Sequence, residues 1–127
     1  MTQVQYFIDT DSAIFATTGQ HPELRHRLAQ LVPGTIGLSA ISYAEIVLGI
    51  AQGKPPTPAA LSAFVAVVLI QPFDEAAARA YAGLPFKRAR FDRLLAAHAL
   101  SVGATVVTNN ESDFADVPGL KVENWTR

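Results

Sequence analysis

Four carboxylates in this 127-residue sequence stand beside strongly apolar segments that would fix their backbone positions. Asp9 follows VQYFI, Glu45 lies within SYAEIVLG, Asp92 opens FDRLLAAHAL, and Asp113 closes the polar turn after GATVV. Carboxylates gathered within ~4–6 Å raise one another's pKa, and burial adds to the shift. A hard divalent cation removes that penalty. Magnesium takes oxygen ligands and keeps several waters, so a few carboxylates suffice to hold it. An ion held this way lowers the pKa of water, orients a phosphodiester and stabilises the charge that develops as it is cleaved. Each acid also has a plain structural reading: Asp9 as a strand-end turn residue, Glu45 as a capping-box acceptor, Asp92 as a first-turn acid favoured by the helix dipole, Asp113 as a turn residue.

The elements that would bring these acids together alternate between strand and helix. Val4–Ile8 reads as a short buried strand, and Thr35–Leu38 and Thr105–Thr108 as two more, with Lys121–Asn124 as a short edge strand. Leu24, Leu28 and Leu31 have helical spacing behind Pro22. Ser42 with Glu45 three residues on has the spacing of a capping box, which predicts a helix starting there. Pro58 opens a further helix that gives way to the β-branched run Val67–Ile70, and Asp74 caps an alanine-rich helix reaching about Leu84. The pattern is strongest over Phe91–Val102, where Phe91, Leu95, Ala99 and Val102 share a face and Gly103 ends the helix. This order predicts a three-layer α/β/α sandwich around a mostly parallel sheet, with the site at the carboxyl ends of the strands.

Composition narrows the classes. The absence of cysteine excludes disulfides, a thiolate nucleophile and a zinc–thiolate site. The longest apolar run, Ala59–Ile70, is shorter than the ~20 residues that span a bilayer, and the N-terminus has no signal-peptide pattern, so a cytoplasmic, non-membrane protein is expected. Half of the residues are hydrophobic, a hint that another chain covers part of the surface. Net charge is −1, yet Lys87, Arg88, Arg90 and Arg93 place four of the ten basic residues in one short stretch, suited to holding a phosphate backbone or simply the solvated start of a helix. His98, Phe114 and Trp125 read as packing residues rather than catalytic or base-stacking ones.

FIDTD (Phe7–Asp11), SYAEIVLG (Ser42–Gly49), FDRLLAAHAL (Phe91–Leu100), GATVVTNNESDF (Gly103–Phe114) and PGLKVENW (Pro118–Trp125) occur in the order found in PIN-domain proteins. Over nearly its whole length the chain resembles the toxins of VapBC-type toxin–antitoxin pairs. That resemblance implies a single PIN-like domain over residues 1–127, and a Mg²⁺- or Mn²⁺-dependent endoribonuclease acting on structured RNA such as tRNA or rRNA. It also implies inhibition by a cognate VapB-type antitoxin, DNA contact only through that antitoxin, and commonly a homodimer. Asp9, Glu45 and Asp92 match the family's three most regular acids. Where the family often carries a fourth acid this chain has Asn110, leaving Asp113 as its substitute or as a supporting acid, with Thr108 and Asn110 to orient an acid or a water. The family's DTN is DTD here, and Asp11 is expected to cap the following helix more than to add a ligand. The segment before Asp92, PFKRAR, is short and basic, which makes the family's RNA substrates an unsafe guide. Two other classes are open: a module that binds RNA or protein without turnover, and a phosphatase of the haloacid-dehalogenase type with Asp9 as nucleophile. The second lacks the lysine and later acidic pair that its chemistry needs.

Overall fold

The computed structural model describes residues 3–86 and 91–127. Five short strands form one parallel sheet in the order β3-β2-β1-β4-β5: β1 (Tyr6–Ile8), β2 (Ile36–Ser39), β3 (Leu69–Gln71), β4 (Thr105–Val107) and β5 (Val122–Glu123). The helices are α1 (Thr10–Thr18), α2 (Pro22–Ala29), α3 (Ala40–Ala51), α4 (Pro58–Val65), α5 (Glu75–Tyr81) and α6 (Phe91–Val102), with a 3-10 turn at Glu111–Phe114. Phe91–Val102 is the helix the apolar spacing predicts. Gly103 ends it at φ 70°, a left-handed conformation that a side chain would strain.

Strand alternation creates two apolar layers. On one face Ile8, Leu38 and Val107 pack with Ala13, Leu24, Ile46 and Leu61 of α1 to α4, and Trp125 joins them. On the other, Phe7 and Val106 pack with Leu95, Ala96 and Ala99 of α6 and with Phe114. His98 lies on this second side, buried, with its ring 4.6 Å from that of Phe7 and its Nδ1 2.8 Å from Ser39 Oγ. Burial holds its pKa below the ordinary value, against the opposing charge of Asp74. Among the described residues, no helix is long and apolar enough to cross a membrane.

Two expected helix starts differ. Helix α3 begins not at Ser42 but directly off strand β2, with Ser39 as N-cap, its hydroxyl accepting from the Ile41 amide at 3.1 Å. Ser42 is therefore buried inside the helix and Glu45 sits in its second turn, so Glu45 is no capping-box acid. Helix α1 is capped by Asp9, whose carboxylate accepts from the Ser12 amide at 2.9 Å, and not by Asp11. The extended backbone of Asp9 (ψ 173°) makes it the hinge between strand and helix, whereas Asp11 is already helical.

Candidate active site

The chain leaves β1 for β2 on one side and reaches β4 on the other, so the strand order switches at β1. In open parallel sheets the crevice beyond that switch is where ligands bind. Asp9 follows β1 directly, its amide donating to the Val107 carbonyl of β4 at 2.9 Å, and the segment after β4 carries Asn110 and Asp113. A cavity of about 270 Å³ opens here, lined by Asp9, Asp11, Glu45, Asp92, Asn110 and Asp113 together with Thr10, Phe91, Leu95 and Phe114. The four acids singled out by spacing thus line one cavity, and Asp11 makes a fifth. Among the described residues lining it, none is basic.

The electrostatics follow from that crowding. Burial pushes the Asp9 carboxyl above its ordinary pKa, opposed by hydrogen bonds from Thr108 and Ser12, while Asp11 repels its charge. Glu45 is also raised, first by burial and then by repulsion from Asp11, Asp9 and Asp92, against a hydrogen bond from Thr10. Both acids accept from a hydroxyl, Asp9 from Thr108 and Glu45 from Thr10. Thr10 Oγ1 donates to Glu45 Oε1 at 2.8 Å, a contact across 35 positions that ties α1 to α3. Thr108, fully buried, bonds Asp9 and accepts from the Asn110 amide at 3.0 Å. Asn110 in turn donates its side-chain amide to the Asp113 carboxylate.

The donor set suits a hard divalent ion: oxygen ligands only, several negative charges, and two pKa values raised by crowding and burial. Among the described residues no three acidic or histidine side chains stand close enough to enclose an ion by themselves.

Arg93 departs from expectation. It was grouped with the phosphate-binding cations, yet only 1% of it is exposed. Its guanidinium forms an ion pair with Asp116, and Arg93 does not line the cavity, whereas its neighbour Asp92 does. Lys87, Arg88 and Arg90 lie outside the described residues. Sequence reasoning missed Thr10 as a partner of Glu45 and Arg93 as a buried group. Thr10 sits beside Asp9, but its partner is remote in sequence and nothing local signals the pairing. Trp125 and Phe114 are buried in the core, as expected.

Comparison with known proteins agrees with the geometry. Residues 6–120 match the PIN domain family. The tRNA(fMet)-specific endonuclease VapC of Shigella flexneri is 29% identical, over 97% of this chain and 99% of its own length. Ribonuclease VapC2 of Rickettsia felis is also 29% identical, over 96% of this chain and 98% of its own. Among solved structures, VapBC2 from Rickettsia felis bound to a promoter DNA fragment superposes with a TM-score of 0.81 at 26% identity, covering 96% of this chain and 99% of that one. DNA-bound VapBC from Salmonella typhimurium gives the same TM-score and identity, covering 97% and 99%.

Proposed function

This chain belongs to the PIN-domain family, and on that premise we propose that it is a divalent-metal-dependent endoribonuclease, the toxin of a VapBC-type pair. Its proposed substrate is a structured RNA of the tRNA or rRNA class, met in the cytoplasm, with residues 1–127 working as one PIN-like domain. The observation that carries this reading is the convergence of Asp9, Glu45, Asp92 and Asp113 on one cavity at the switch point of the sheet.

Asp9, Asp92 and Asp113 would hold Mg²⁺ or Mn²⁺, directly or through water. When bound, such an ion supplies charge neutralisation at the phosphodiester and acidifies water. The protein's own residues do the rest. Thr108 fixes the Asp9 carboxylate against β4, and Thr10 fixes Glu45 so that its free oxygen can accept a proton from the attacking water. Asn110 orients Asp113 through its amide. Asp11, exposed at the rim, adds negative charge that favours the cation. Lys87, Arg88 and Arg90 would hold RNA phosphates, a contact that gives affinity with steep salt dependence and little sequence choice.

Partners follow from the same family reading. Val47, Leu48 and Phe91 are exposed apolar residues, and a second cavity of about 380 Å³ is lined by Leu28, Leu31, Val32, Phe64 and Val67 among others. Apolar surface of this extent supports a chain covered by others, here a cognate VapB-type antitoxin and a second copy. Contact with DNA would run through the antitoxin.

The test is cleavage of a panel of tRNA and rRNA fragments by the purified chain, freed of antitoxin, with Mg²⁺, with Mn²⁺ and with EDTA. Cut RNA that appears with either ion and vanishes in chelator is the expected result. Undiminished cleavage in EDTA would rule out metal-assisted hydrolysis, and binding of RNA and metal with no cut product across the panel would favour a binding module.

A further inference from the structure

Arg93 follows Asp92 in α6, but it is buried and does not line the cavity. Its Nη2 donates to the carboxylate of Asp116 and, at 3.4 Å, to the backbone carbonyl of Asp113. One nitrogen thus grips two points of the segment that carries Asp113. Among the described residues its Nε and Nη1 have no hydrogen-bond partner. The Asp116 side chain is 44% exposed, so water screens this ion pair and it adds little to stability by charge alone. What this arginine adds is therefore geometry. Helix α6 brings Asp92 to one wall of the cavity, the segment after β4 brings Asp113 to another, and the Arg93 contact joins the two.

We propose that Arg93 is a positioning residue that sets the spacing between Asp92 and Asp113 by clamping residues 113–116 to α6. The proposal rests on the reading that Asp113 serves the site. Removing the clamp leaves every cavity-lining acid in place but lets one wall shift, which loosens the cation and slows the chemical step without removing any group that touches RNA.

The experiment compares Arg93→Met, Arg93→Lys, Asp116→Asn and Asp113→Asn with the parent. The readouts are thermal stability, Mn²⁺ affinity in the absence of RNA, and kcat and KM on a cleavable RNA. Arg93→Met is expected to stay folded at the assay temperature, while Mn²⁺ affinity and kcat each fall about 10- to 100-fold and KM stays within about twofold. Arg93→Lys restores part of both, and Asp116→Asn, altering a side chain 44% exposed, shifts both in the same direction by less. Parent-like Mn²⁺ affinity and kcat in Arg93→Met would overturn the proposal. Should that variant fail to fold, parent-like values in both Arg93→Lys and Asp116→Asn would overturn it equally. Parent-like behaviour of Asp113→Asn would place the failure one step earlier, in the role of Asp113, and leave the clamp nothing to position.

Discussion

Replacing Asp9 with asparagine is expected to abolish RNA cleavage, by roughly a thousandfold or more, while leaving the protein as stable as before or more so. The loss follows from removing one of the proposed ligands, whose contribution to charge stabilisation is several kcal/mol at about 1.4 kcal/mol per decade of rate. The stability follows from two separate facts. Asp9 is the N-cap of α1, and asparagine caps about as well as aspartate. Its carboxyl is also raised by burial, so in the folded state its charge is disfavoured. An acid with a raised folded pKa contributes stability that is complete below its unfolded pKa and is lost as pH rises through the folded value. At neutral pH the ionised Asp9 therefore weakens the fold, and the neutral amide removes that burden. Cleavage assays paired with melting curves at pH 7 check both halves. Alanine at the same position, which also deletes the cap, should melt lower, since losing such a cap costs about 1 kcal/mol.

Cleavage should begin to fall on acidification before the pH reaches the range where ordinary carboxylates, with pKa near about 4, titrate. Asp9 and Glu45 are both raised, and both must be ionised to hold a cation or take a proton. Where both are protonated, log rate should climb with pH at a slope approaching about two, so that one pH unit is worth up to about a hundredfold. Glu45→Gln removes one of the two protons and should lower that slope toward about one, along with the maximum rate. Stability should run the opposite way, greatest when both acids are protonated and lessening as pH rises through their folded pKa values. A parent profile that stays flat down to the ordinary carboxylate range would contradict the roles given to these two acids.

Much of this was legible in the residues because local patterns and the global fold agree. The spacing of Phe91, Leu95, Ala99 and Val102 specified α6, and the apolar runs around Asp9 and before Thr108 specified the two central strands. Once strands alternate with helices, the switch-point rule gathers the acids without any contact being known. Capping was harder to read. Ser39 and Ser42 are both plausible caps, and so are Asp9 and Asp11; the choice depends on where each strand stops pairing, which the neighbouring strands decide. Arg93 was misplaced for a related reason. Four nearby cations look alike in sequence, and nothing local marks Arg93 as the buried residue it is. The Thr10–Glu45 bond, joining distant positions, leaves no local trace.

The most direct test of the central claim, that the cavity lined by Asp9, Glu45, Asp92 and Asp113 seats a hard divalent cation, is anomalous diffraction from crystals of the protein grown with Mn²⁺. The expected map has a manganese peak within the cavity at the carboxyl ends of β1 and β4, ringed by these carboxylates and ordered waters, and no such peak in Asp9→Asn crystals. Crystals saturated with Mn²⁺ that place no metal in that cavity, or a peak that persists unchanged in the variant, would contradict the shared site and the hydrolytic chemistry built on it.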